Sequence, residues 1–123
     1  MTTITNIAQR ILDENNYTTS DITTTNVEYL IKNAVDHINT QTGRTISFTP
    51  SAGTASLTAQ DDEMPYIKNL TALMIRAYKD RGPNTAIGGL AVSSLTNDPQ
   101  YSLFLKLLDD GIQRLRGRYI KRT

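Results

Sequence analysis

Four stretches of this chain place apolar residues at the i, i+3, i+4, i+7 spacing of an amphipathic helix, with polar or helix-breaking residues between them. That pattern restricts the fold to helices that bury their stripes on one another. In the first stretch Ile4, Ile7, Ala8, Ile11 and Leu12 share a face over about residues 4–14, with Thr3 or Thr5 as cap and Asn15-Asn16 as terminator. Three turns carrying one stripe need a surface to dock on. In the second, Thr25 and Glu28 have the spacing of a capping box, and Val27, Leu30, Ile31, Ala34, Val35 and Ile38 trace one face. Gly43 suits a left-handed C-cap, so the spacing predicts a helix over 26–42.

The third stretch starts near Thr58 or Asp61, with Asp61, Asp62 and Glu63 at the positive end of the helix dipole and Pro65 tolerated only near a start. Its face is Ile67, Leu70, Leu73, Met74, Ala77 and Tyr78, and Gly82-Pro83 stops it. Asp98-Pro99 opens the fourth, in which Tyr101, Phe104, Leu105, Leu108, Ile112 and Leu115 form the stripe. Leu103 and Leu107 widen that stripe beyond what one neighbour needs, which predicts a further contact such as another subunit.

The connections are less regular. Thr45–Thr49 alternates β-formers before Pro50-Ser51-Ala52-Gly53 breaks the pattern, so a short β segment is expected near 45–57, as an edge or hairpin arm. Residues 82–98 (GPNTAIGGLAVSSLTND) make a loop of about 17 residues, uncommonly long for a compact domain. Ile87, Leu90, Ala91, Val92 and Leu95 ride on it beside Gly88-Gly89 and need something to bury against. The expected fold is mainly α: a small antiparallel helical bundle of about four helices with a long Gly-containing loop. It divides into an N-terminal helix and Thr-rich linker (1–24), a helical domain (25–116) and a basic C-terminal arm (117–123).

A chain of 123 residues suits one domain and can bury about two-thirds of its extended surface. The absence of cysteine excludes a disulfide framework, a Cys zinc site and a thiol nucleophile, and a single histidine leaves no multi-His metal centre. His37 sits mid-helix beside Asp36 with no second histidine or positioned serine, and reads as a structural or surface residue. The helix dipole accounts for Asp61-Asp62-Glu63, and Asp109-Asp110 reads as a solvated face pairing with Lys106 or Arg114. Gly88-Gly89 lacks both the spacing and the lysine of a phosphate loop. No nucleophile, base and oxyanion donor converge, so no enzyme, metal or cofactor is expected. The sequence has no apolar run of roughly 18 residues and no signal-like N-terminus, which points to synthesis in a cytosol and no membrane.

Threonine and asparagine crowd into 15–26 and 39–58 as caps and connections. The net charge of +1 conceals a partition. Residues 114–123 carry five cations and no acid, leaving 8 cations against 12 anions elsewhere, a body of −4. This segment reads in three ways: a solvated, helix-stabilising terminus, an arm that docks on an acidic protein surface, or a phosphate-binding arm.

The stretch LMIRAYKDRGPNTAIGGLAVSSL, followed by YSLFLKLLDDGIQRLRGR, resembles the head-tail connector (adaptor or head-completion) proteins of long-tailed bacteriophages. The carrying motif is the Gly/Ser loop Ile87-Gly88-Gly89-Leu90-Ala91-Val92-Ser93, and the earlier TNVEYLIKNA is similar to the family's first long helix; the likeness spans about 25–118. Residues 1–24 are less typical of it. The resemblance implies a non-enzymatic virion protein at the neck, forming a ring, commonly dodecameric, between the portal and a tail-side completion or terminator protein. Genomic DNA would pass through the lumen without sequence-specific binding. It further implies that Arg114, Arg116, Arg118, Tyr119, Ile120, Lys121 and Arg122 dock on the portal. Ile87, Gly88, Gly89, Leu90, Val92 and Leu95, with Leu103 and Leu107, would meet the neighbouring subunit. A small helical DNA-binding or regulatory protein using the basic arm is the alternative.

Overall fold

Ile4 and Ile7 share a stripe by spacing, yet they belong to different elements. The computed structural model describes residues 2–51, 54–81, 92–96 and 98–121. Along them run strand β1 (Thr2–Ile4), helix α1 (Ile7–Glu14), helix α2 (Thr24–Thr42), strand β2 (Leu57–Ala59), helix α3 (Met64–Arg81), a 3-10 turn (Val92–Leu95) and helix α4 (Pro99–Lys121). The chain is mainly helical, a small bundle with a two-stranded sheet at its edge.

Thr2, Thr3 and Ile4 are better strand than helix formers, and they pair antiparallel with β2, Thr2 opposite Ala59 and Ile4 opposite Leu57. Asn6, at φ 49°, then turns the chain into α1 through a left-handed conformation that asparagine tolerates better than most residues. The helix therefore begins at Ile7 rather than near residue 4.

The strand expected from Thr45 to Thr49 does not form. Asn39 supplies the reason: its side-chain amide donates to the Ile46 carbonyl at 2.7 Å and accepts the Ile46 N–H at 2.9 Å. One side chain thus satisfies both backbone groups of Ile46, which a neighbouring strand would have paired.

α2 begins two residues before the spacing predicts. Thr23 is its N-cap, in extended conformation, with Oγ1 accepting the Asn26 N–H at 3.3 Å. Glu28 does not complete a capping box with Thr25. Its side chain is fully buried, and its two oxygens accept the backbone N–H groups of Ser51 at 2.8 Å and Ala55 at 2.9 Å. The far end follows expectation: Gly43 adopts φ 74° and donates to the Asn39 carbonyl at 2.8 Å.

Asp61, Asp62 and Glu63 form the turn that leads into α3, which starts at Met64 with Pro65 in its first turn. α3 ends at Arg81; the Gly82-Pro83 stop lies outside the described residues. Asp98 caps α4 by accepting the Gln100 N–H at 3.0 Å. α4 then continues past Gly117 to Lys121, so residues 117–121 of the expected arm are helical rather than extended. A single interior glycine costs a helix about 1 kcal/mol relative to alanine, which is too little to end it here.

α2 packs against α1, α3, α4 and the 3-10 turn. Ile7, Ala8, Ile11 and Leu12 of α1 enter the same core as Leu30, Ile31, Leu70, Met74, Leu105 and Ile112, so the N-terminal helix is part of it. Where α4 meets α3, Gly111 faces Tyr66, and a Cβ at that position would lie 2.5 Å from the tyrosine ring. The glycine permits the close approach.

The two threonines give a direct test of the helix start. Thr23→Ala should lower the unfolding free energy by about 1 kcal/mol in urea titration, and Thr25→Ala by only a few tenths at roughly the level of a neutral surface change.

Candidate interaction surface

The outer face of α4 carries the apolar groups that the core leaves over. Leu103 is 63% exposed, Leu107 61% and Phe104 48%, while Tyr101, Leu105, Ile112 and Leu115 on the opposite side are buried. Phe104, which the spacing puts in the core stripe, belongs instead with the exposed pair. Leu103 and Leu107 stand one turn apart, and Phe104 flanks them.

Phe104 and Leu107 also border an open groove of about 380 Å³ between α3 and α4, closed on its other sides by Tyr17, Leu73, Arg76 and Leu108. Arg76 lines it, and Lys79 stacks on Tyr17, another of its lining residues. The Arg76 guanidinium lies 5.9 Å from the Phe104 ring centroid and 3.9 Å from Asp80, and Lys79 lies 4.9 Å from the Tyr17 ring and 3.1 Å from Asp21. A backbone hydrogen bond from Thr18, together with Lys79, holds the Asp21 carboxyl below its ordinary value. The hydroxyl of Tyr101 donates to Asp80 at 2.6 Å, tying the start of α4 to the end of α3.

On its inner side α4 is joined to α2 by polar links. His37 Nε2 and Asp109 Oδ1 are 2.8 Å apart, and Gln113 donates to Gln41 at 2.9 Å. Asp109 therefore pairs with His37 across the helices rather than with Lys106 or Arg114 along its own. The third link starts from Arg44, one residue past the Gly43 cap. NH1 donates to Glu63 at 2.9 Å and to Asp62 at 3.1 Å, and NH2 reaches the Leu115 carbonyl at 3.2 Å. Burial pulls the Arg44 pKa down, but the hydrogen bonds that the guanidinium donates to Glu63 and Asp62 outweigh it, and the net shift is upward. The guanidinium stays charged.

The acids before α3 thus have specific partners, since Asp61 also accepts from the Thr2 hydroxyl. Sequence reasoning missed this cluster. Its signal is faint: Arg44 stands alone in a loop, with the acids 18 and 19 residues further on and Leu115 71 residues away.

The structure divides the expected contact residues. Val92 and Leu95 are 4% and 0% exposed and pack into the chain's own core through the 3-10 turn, so they are not free to meet a neighbouring subunit. The turn also gives this part of the expected structureless loop regular geometry. Ile87, Gly88, Gly89 and Leu90 lie outside the described residues. Leu103 and Leu107 are exposed, as the surplus stripe width predicts. Arg114 is exposed, Arg116, Arg118, Tyr119, Ile120 and Lys121 lie on the helical backbone of α4, and Arg122 lies outside the described residues. Among the described residues no three His, Cys, Asp or Glu side chains gather as a metal site, and no helix is long and apolar enough to cross a membrane.

No family model, no curated protein and no solved structure matches this chain.

Removing Arg44 leaves two carboxylates facing each other with Glu63 buried. Arg44→Ala should therefore lower the unfolding free energy by about 3–5 kcal/mol, measured by urea titration. Arg44→Lys should recover only part of that, because an ammonium lacks the fork that reaches Asp62, Glu63 and α4 together.

Proposed function

We propose that this chain is a non-enzymatic structural protein of a phage virion that assembles as a ring at the neck, between the portal and a tail-side completion or terminator protein. The observation that carries the reading is the exposed Leu103, Phe104 and Leu107 face beside the α3–α4 groove. A small domain that has filled its core and still presents three large apolar side chains on one helix face is suited to a partner. A ring uses heterologous contacts, in which one surface of a subunit meets a different surface of the next. The outer face of α4 supplies one such surface, and the resemblance to head-tail connectors supports the assembly and its dodecameric form.

The portal is the partner of the basic end of α4. The last ten residues of the sequence, with cations at 114, 116, 118, 121 and 122, differ in charge from a body of −4, and an acidic docking surface complements them. The body's negative charge, repeated around a ring, lets genomic DNA slide through the lumen wherever those acids face inward.

Sedimentation of the chain mixed with its portal tests the assembly. The unmodified chain should form a ring on the portal. Leu103→Ser with Leu107→Ser should prevent ring formation and leave thermal stability within about 0.5 kcal/mol, because both side chains are exposed. Deleting 117–123 should abolish portal docking with little change in the remaining helix. Absence of any ring in the unmodified mixture contradicts the proposal, and retardation of duplex DNA with a steep salt dependence and no need for a portal favours the DNA-binding alternative.

A further inference from the structure

The helical continuation of α4 changes what the basic end can be. Positions 114, 118 and 121 fall within a narrow sector of one helix face by register, the face that carries Leu103 and Leu107. An extended arm would have no such fixed array. Beyond Leu115 six further residues are helical, about 9 Å of helix.

Arg44 meets α4 at Leu115. Its side chain is 5% exposed, and its guanidinium has two separate tasks. One is the grip of the turn before α3: NH1 donates to both Asp62 and Glu63, and NH2 adds a 3.4 Å contact to the second oxygen of Asp62. The other is the Nη2 hydrogen bond to the backbone carbonyl of Leu115, a fully buried residue of α4. Glu63 is itself fixed, because its other oxygen accepts the Gln60 N–H at 2.8 Å. The guanidinium is planar and its fork is rigid, so carboxylates that fix one side also fix where the other side points. A carbonyl has two lone pairs, so Leu115 can accept from Arg44 and from within the helix.

We infer that Arg44 is the positioning residue of the basic helix end: locked by Asp62 and Glu63, it clamps α4 at Leu115 and sets the direction of the helix beyond, whose positions 114, 118 and 121 share one face by register, for docking on an acidic protein surface. The partner half of this inference rests on the portal-docking reading, whereas the clamp stands without it. Preorganisation matters because each long side chain or segment ordered on binding subtracts from affinity. A helix already held in direction loses less.

The experiment uses the absence of cysteine in the chain. Spin labels at Lys32→Cys and Arg118→Cys report the distance between the body and the helix end by pulsed dipolar spectroscopy. The otherwise unmodified chain should give one narrow distribution. Arg44→Met combined with Asp62→Asn and Glu63→Gln removes the charges together, so no buried ion is stranded. This variant should keep its far-UV spectrum, broaden the distance distribution about twofold, and bind the portal about tenfold more weakly at unchanged core stability. Arg44→Lys serves as a second variant if the triple one does not fold, since it keeps a cation for the acids without the fork; it should broaden the distribution too. A folded variant with an unchanged distribution overturns the clamp. A broadened distribution with unchanged portal affinity overturns the docking role. If the unmodified chain does not bind a portal, the docking reading fails, and the distances still decide the clamp.

Discussion

The fold depends on α2 serving as a common seat for the other helices. Its apolar face, from Val27 to Ile38, is buried against α1, α3, α4 and the 3-10 turn, which leaves its polar side chains to act as clasps at the margins. Glu28 shows how demanding that arrangement is. A fully buried carboxylate is tolerable only when hydrogen-bonded, and two backbone N–H groups from the 51–55 loop meet the requirement. Asn39 secures Ile46, His37 and Gln41 reach α4, and Thr42 accepts the Arg44 N–H just after the cap. Each clasp fixes a connection that lacks regular structure of its own or a helix that would otherwise be held only by apolar contact.

This division of labour explains what could be read in advance. Helix existence was legible because 3.6-residue periodicity is a local signal, and the Gly43 cap and the Asp98-Pro99 start were legible for the same reason. The errors lie where a side chain was committed to a distant partner. Glu28 has the spacing of a capping-box residue but accepts from residues 23 and 27 positions later, and Thr45–Thr49 looks like a strand but is met by one asparagine. Ile4 continues a helical stripe on paper, yet it finds a strand partner at Leu57.

The candidate surface was half legible. Surplus apolar width on α4 correctly marks Leu103 and Leu107 as exposed, because a helix with a filled core face has no use for them inside. Val92 and Leu95 show the converse: an apolar loop beside glycines reads as a patch for a neighbour, whereas a 3-10 turn folds it into the chain's own core. Helix α4 runs through Gly117 to Lys121, so the backbone of this part of the basic segment is helical.

In the proposed ring the outer face of α4 is the assembly surface and the portal is the seat. A cryo-electron microscopy reconstruction of the chain bound to its portal tests it most directly. The account predicts a closed ring in which Leu103, Phe104 and Leu107 are buried against the adjacent subunit and the basic end of α4 lies on the portal. A ring in which those three side chains remain in solvent, or a chain that stays apart from the portal altogether, would contradict it.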